Sequence, residues 1–255
     1  MKRIFLRTAY DGTAYCGSQI QPELPTVEGT LANVLSELSD ENVLLTGASR
    51  TDAGVHAYGN VYVFDTKLSI PPDRFKYAIN TKLPPDIRVV ESMEVPADFH
   101  PRHSVINKTY EYHIDDGFIE LPFKERYSAH VRQKLDIEAM NEAAVLFIGE
   151  HDFTSFCSAK TEKEDHVRII YNLNVTASSP SVYDNRDIVI SITGNGFLYN
   201  MVRIIAGTLA EVGKGKIKPA EISEILSARD RTKAGPTLPP NGLFLLKIRY
   251  EDFEK

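Results

Sequence analysis

At 255 residues, with 42% hydrophobic and 25% charged side chains, the chain has an ordinary globular composition and length for one large domain or two modest ones. No apolar run approaches the roughly 20 residues that cross a bilayer, the charged start at Lys2, Arg3 and Arg7 leaves no signal-peptide core, and Cys16 and Cys157 are too far apart for a zinc or redox motif. The expected setting is a reducing cytoplasm, with free thiols and no metal; the net charge of −6 argues against a nucleic-acid coat but leaves room for a basic cleft on an acidic body.

Ile4, Leu6 and Thr8 alternate with Phe5, Arg7 and Ala9, which predicts a strand over 3–10. Tyr10-Asp11-Gly12-Thr13 makes a turn, and the polar stretch from Tyr15 to Gln19 is irregular. A helix follows its cap Thr26, with Leu31, Val34, Leu35 and Leu38 on one face. Val43, Leu44 and Leu45 read as a short strand, 47–57 as a glycine-bounded loop, and 58–65 as the next strand. Pro71-Pro72-Asp73 opens a helix carrying Phe75, Ala78 and Ile79; Leu83-Pro84-Pro85-Asp86 ends it, and a strand runs from Ile87 to Val95. This β-α-β-β-α-β order matches a ferredoxin-like split βαβ unit.

Residues 96–108 read as a polar, proline-marked connector, after which a similar pattern begins. Tyr110, Tyr112 and Ile114 share one face of a strand. A helix from Asp136 groups Ile137, Met140, Ala144, Phe147 and Ile148. Strands follow at 167–177 and 187–193. A helix over 197–212 buries Leu198, Met201, Val202, Ile205, Leu209 and Val212; a shorter one begins at Pro219, and a strand from Leu243 to Tyr250 closes the chain. The expected fold is α+β: two ferredoxin-like halves, residues 1–104 and 105–255, whose antiparallel sheets form a central cleft.

The stretch Gly47-Ala48-Ser49-Arg50-Thr51-Asp52-Ala53-Gly54-Val55-His56-Ala57 sets an acid, a base, hydroxyls and an imidazole in one loop between apolar runs. Spacing alone leaves two readings open. Either Arg50 and Asp52 form a chemical site, or Asp52 caps a tight turn or pairs with Arg50. On helix 197–212, Arg203 has Tyr199, Ala206, Gly207 and Ala210 as neighbours, a small-residue face that packs closely against something. An arginine there either meets an anion or snorkels to water, and nothing in the spacing names Asp52 as its partner. Tyr110 reads equally as strand core, and Lys108 and Arg102 as solvated charges. Lys214-Gly215-Lys216-Ile217-Lys218 reads as a solubilising basic patch. His56 and His100 lack companions at metal-ligand spacing.

Taken together, these segments resemble the tRNA pseudouridine synthase A family. The resemblance is carried by Tyr10-Asp11-Gly12-Thr13, the 47–57 loop, Phe99-His100-Pro101-Arg102-His103-Ser104 and Lys108-Thr109-Tyr110-Glu111-Tyr112. It continues in Gly149-Glu150-His151-Asp152-Phe153, in the run from Gly196 to Arg203, and in Ala234-Gly235-Pro236 leading to Gly242-Leu243-Phe244-Leu245. The resemblance implies the pseudouridine synthase fold, with Asp52 as the catalytic nucleophile and Arg203 as its basic partner. Tyr110 stacks on the target uracil, Arg50 helps displace the base, and Leu245 (or Leu243) packs beside it. It further implies a cytoplasmic homodimer that needs no cofactor and isomerises uridines 38, 39 or 40 in the tRNA anticodon stem-loop. Three positions depart from the family pattern. Ser49 stands where glycine is usual, Ser18 where tryptophan is common, and Leu238 where alanine is typical.

The implied chemistry suits these residue types. Turning uridine into pseudouridine breaks N1–C1′, rotates the uracil and rejoins it through C5, with no redox change. A carboxylate that attacks or stabilises the sugar carbon is required; a nearby arginine keeps it ionised, and aromatic and aliphatic walls hold the freed base. The Tyr110 hydroxyl is a candidate acceptor for the C5 proton. One clear carboxylate disfavours an ordinary two-acid glycosidase. A non-catalytic tRNA-binding module on the same scaffold is the alternative, and a sugar-nucleotide hydrolase a weaker third.

Overall fold

The last strand of the chain joins the sheet that the first strand begins. The computed structural model describes residues 1–158 and 165–251 and divides into two units, Met1–Ile106 with the chain from Phe244 onward, and Asn107–Leu243. The first unit contains β1 (Lys2–Tyr10), α1 (Val27–Ser39), the two-residue β2 (Thr46–Gly47), β3 (His56–Thr66), α2 (Phe75–Asn80) and β4 (Ile87–Val95). β1 lies between β3 and β4, antiparallel to both, and the closing strand Leu243–Tyr250 runs parallel to β3, with Phe244 opposite His56 and Leu245 opposite Ala57.

Both faces of β1 are covered, so its sequence alternation does not become an inside–outside alternation: Ile4, Phe5 and Leu6 are all fully buried. Ile4 pairs in register with Phe64, whose ring meets Phe75 of α2 edge-on at 5.6 Å. On the opposite face Phe5 packs against Phe99 and Tyr250 at 6.2 and 5.9 Å. Each such buried side chain contributes about 1.5–3 kcal/mol relative to exposure. The connector over 96–108 is therefore partly core: Phe99 is buried, and the Tyr250 hydroxyl donates to Pro101 O at 2.8 Å.

As expected, Thr26 caps α1, its side chain accepting from the Gly29 N–H. The expected strand over Val43–Leu45 does not form. Leu44 is 81% exposed, and the Val43 N–H donates to the Ser36 hydroxyl of α1 at 3.1 Å. That backbone donor is thus satisfied locally, and only Thr46 and Gly47 pair with β3.

The second unit contains β5 (Val105–Asp116), β6 (Ala129–Val131), α3 (Ile137–Val145), β7 (Gly149–Asp152), β8 (Val167–Ala177), β9 (Arg186–Gly194), α4 (Met201–Gly213) and α5 (Glu221–Ala228). The order β5-β9-β8-β7 is antiparallel, and β6 pairs parallel with β5. α3 stops at Val145, so Ile148 is 40% exposed, while Phe147 is buried edge-on against Phe156. α4 begins at Met201 rather than at residue 197, because Asn200 adopts a left-handed conformation (φ 61°) that interrupts the helical path. The small-residue face of α4 does pack closely: the Gly235 N–H donates to the Thr208 hydroxyl at 2.9 Å, and a side chain on Gly207 would collide with Pro236 O.

Asp116 anchors one end of this sheet. Its carboxylate is fully buried, accepting from Leu135 N–H at 3.0 Å, from Arg186 N–H at 3.1 Å, and from the Arg186 Nε and Nη2 groups. Burial alone would raise its pKa; the Arg186 hydrogen bonds and charge, with the Leu135 N–H, outweigh it and hold the carboxyl below the usual carboxylate range. A depressed pKa contributes stability that is present above the unfolded-state value of about 3.9 and is lost as pH falls through the folded-state value. Asp116→Ala is expected to cost about 1–3 kcal/mol at pH 7, because the Leu135 N–H and the Arg186 donors lose a buried acceptor. Denaturant unfolding of wild type and variant from pH 7 down to pH 3 should show the gap narrowing with acid.

Candidate active site

The 48–55 loop is held from below. The Ala48 N–H donates to Val61 O at 2.8 Å, and Arg102 Nε reaches back to Gly47 O at 2.7 Å. Asn60, fully buried on β3, donates through Nδ2 to Ser49 O at 3.0 Å and to the Tyr10 hydroxyl at 3.1 Å. The Tyr10 hydroxyl in turn shares a 2.8 Å hydrogen bond with the Thr51 hydroxyl. Burial pushes the Tyr10 phenol up to about 12, against the opposing pull of its hydrogen-bond partners, so it is neutral at pH 7 and remains a donor. Ser18 completes the support: its hydroxyl accepts from the Thr51 N–H at 2.8 Å and donates to Ser49 O at 3.3 Å.

Past the bend, the loop turns on Gly54, whose φ of 77° suits a residue without Cβ. The Val55 N–H donates to Asp52 O at 3.2 Å and the Gly54 N–H to Tyr15 O at 3.3 Å. The segment then enters β3 at His56, two residues before the expected start. His56 is buried; its Nδ1 accepts from the Gly12 N–H at 3.1 Å, and its ring stacks on Phe244 at 4.6 Å. The imidazole thus ties the opening Asp-Gly-Thr turn to the sheet.

On this frame Arg50 is exposed and Asp52 half-buried. Leu245 is fully buried beside Ala57, five residues beyond Asp52. Glu28, in the first turn of α1, has its carboxyl raised by burial, with the Arg102 and Arg50 charges pulling the other way. Arg102 is therefore part of the loop's surroundings rather than a remote solvated charge.

Tyr110 and Arg203 belong to the second unit. Tyr110 sits in β5 opposite Ile192, buried, with Phe197 edge-on to its ring at 5.2 Å. Its neighbour Tyr112 is structural: fully buried, it donates its hydroxyl to Pro239 O at 2.6 Å, and burial raises its pKa well above the ordinary value. Arg203 is half-buried and oriented rather than trailing into solvent. Nε donates to Leu238 O and Nη1 to Asn200 Oδ1, both at 2.8 Å, while Leu238 N–H donates to Arg203 O at 3.3 Å. The left-handed Asn200 that delays α4 is thus the residue that aims the guanidinium.

Of the residues singled out in the sequence, Arg50, Asp52 and Leu245 lie in the first unit, Tyr110 and Arg203 in the second. Sequence reasoning missed Tyr10, Ser18 and Asn60 as supports of the loop; the one available signal was Asn60, a polar residue inside an apolar strand. Lys214 and Lys216 of the basic patch both pair with Glu211, at 2.8 and 2.9 Å. Among the described residues, no three His, Cys, Asp or Glu side chains gather as a metal site, and no helix is long and apolar enough to cross a membrane.

A family model described as tRNA pseudouridine synthase matches residues 7–104 and 143–251. The tRNA pseudouridine synthase A of Brevibacillus brevis is 48% identical over 250 residues, covering 98% of this chain and 100% of that protein. The protein of that name from Halalkalibacterium halodurans is 48% identical over 244 residues (95% of this chain, 90% of that one), and the one from Caldicellulosiruptor bescii 45% identical over 250 (98% and 100%).

Proposed function

Because this chain belongs to the tRNA pseudouridine synthase family, we propose that it is an RNA-modifying isomerase that converts uridine to pseudouridine in tRNA, at positions 38, 39 or 40 of the anticodon stem-loop. The observation that carries the assignment of residues is the loop itself. Asp52 is half-buried at the end of a run, Ser49 to Thr51, whose backbone is tied from below by Ser18 and Asn60. A carboxylate carried on a backbone so fixed has less ordering to do before it meets the sugar carbon.

Asp52 attacks or stabilises C1′ as N1 leaves; the uracil turns and C5 takes the place of N1. One proton leaves C5 and one is gained at N1, so the reaction balances as an isomerisation. Arg203, aimed by Asn200 and Leu238, is the cation assigned to that carboxylate. Tyr110 stacks on the uracil and is the candidate acceptor of the C5 proton, and Leu245 supplies an aliphatic wall. The target nucleotide is stacked in a stem and must be everted; exposed Arg50 fills the gap or holds the neighbouring phosphate. Shape and phosphate contacts then give most of the affinity, so binding weakens with salt. A homodimer would let one tRNA span both subunits.

Incubating the protein with unmodified tRNA transcripts and mapping pseudouridine by mass spectrometry tests this reading. Pseudouridine confined to positions 38–40 is the expected result. Saturable tRNA binding with no pseudouridine would identify a non-catalytic tRNA-binding module instead.

A further inference from the structure

Ser18 makes more of the loop's supporting contacts than its size suggests. It is 1% exposed, in the irregular stretch between β1 and α1. Its hydroxyl accepts from the Thr51 N–H and donates to Ser49 O, and its own N–H donates to Thr51 O at 3.1 Å. One residue therefore grips three successive peptide groups: Ser49–Arg50, Arg50–Thr51 and Thr51–Asp52. The approach is made possible by Gly17, whose φ is 98° and where a Cβ would lie 2.8 Å from Thr51 O. Ser18 is itself anchored, its carbonyl accepting from the Glu28 N–H of α1 at 3.0 Å.

The hydrogen bonds of the loop are not equivalent. Ser49 O also accepts from Asn60, so losing the Ser18 hydroxyl leaves it one partner. The Thr51 N–H loses the acceptor that Ser18 supplies, at a residue only 8% exposed. A buried donor stripped of its acceptor turns toward another, and the peptide between Arg50 and Thr51 turns with it.

We propose that Ser18 is a positioning residue for the reaction: its hydroxyl fixes the Ser49–Thr51 backbone and thereby the placement of the Asp52 carboxylate, governing the chemical step and not the affinity for tRNA. This rests on the reading of Asp52 as nucleophile. Ser18 is buried beneath the loop, so it offers no surface to RNA.

The test compares Ser18→Ala, Asp52→Asn and Ile79→Val, the last a core trim on α2 that controls for lost stability. Thermal unfolding, tRNA binding and single-turnover pseudouridine formation are measured for each. Ser18→Ala is expected to bind tRNA within about twofold of wild type while its single-turnover rate falls by about 100-fold, the scale of a misplacement of about 1 Å; Ile79→Val turns over normally. If Ser18→Ala does not fold, Ser18→Cys, which keeps the shape with a somewhat larger sulfur that is a weak acceptor, carries the same comparison. A wild-type rate in the Ser18 variant, a loss confined to tRNA affinity, or an equal fall in Ile79→Val overturns the proposal. Asp52→Asn separates the levels: an inactive Asp52→Asn beside a fully active Ser18→Ala sinks this proposal alone, whereas an active Asp52→Asn removes the reading beneath it.

Discussion

Asp52→Asn protein is expected to bind tRNA as wild type does and to form no measurable pseudouridine. The amide matches the carboxylate in size, and the loop's supports come from Ser18, Asn60, Tyr10 and Arg102, none of which the substitution alters. The fold and the RNA-facing surface therefore persist. What disappears is the negative charge and the lone pair proposed to meet C1′, and removal of a reacting group of this kind lowers turnover on the order of 10⁴-fold or more. Affinity holds or rises slightly, because one negative charge near a polyanion is gone. Single-turnover release of tritium from C5-labelled uridine reads the chemistry, and filter binding at two salt concentrations reads the affinity. Residual turnover within tenfold of wild type would take Asp52 out of the reacting bond, since no other group of the loop could stand in for it.

The loop's composition left a chemical site and a capped turn both open; what holds the loop did not show in sequence. Ser18, Asn60 and Tyr10 lie 33, 9 and 41 residues from Thr51 in sequence, and each is an unremarkable polar residue until the fold brings its hydrogen-bonding atom under the loop. Ser18 stood out only as a departure from the family pattern, without a reason. Strand and helix periods located most elements, because those depend on neighbours a few residues away. Elements whose existence depends on a distant partner were misread or unseen. β7 (Gly-Glu-His-Asp) has no apolar alternation and is a strand only because β8 pairs with it. Among the described residues, His56 pairs only with Phe244 of the closing strand, and Ala57 with Leu245 and with Tyr10 of β1. Val43–Leu45 has the right residues for a strand, but its Val43 N–H is taken by a serine on α1. The small face of α4 was legible because close packing restricts side-chain size directly, whichever segment fills the space. The left-handed Asn200 was not legible, and it decides both where α4 starts and where Arg203 points.

Arg203 carries the second large effect. Arg203→Ala is expected to lower the single-turnover rate on bound tRNA by about 100–1,000-fold, the scale of removing one group that stabilises developing charge, while the protein stays folded. Its two side-chain hydrogen bonds, to Leu238 O and Asn200 Oδ1, are worth about 1 kcal/mol each, within the tolerance of a folded domain. Arg203→Lys tells charge from geometry. Lysine supplies a point charge but cannot donate to Leu238 O and Asn200 Oδ1 together through a rigid fork, so most of the rate loss remains. A purely structural arginine would behave otherwise: both variants would lose activity in proportion to thermal stability. Near-wild-type rates in Arg203→Ala would assign the guanidinium to bracing the chain at Leu238 and take it out of the reaction.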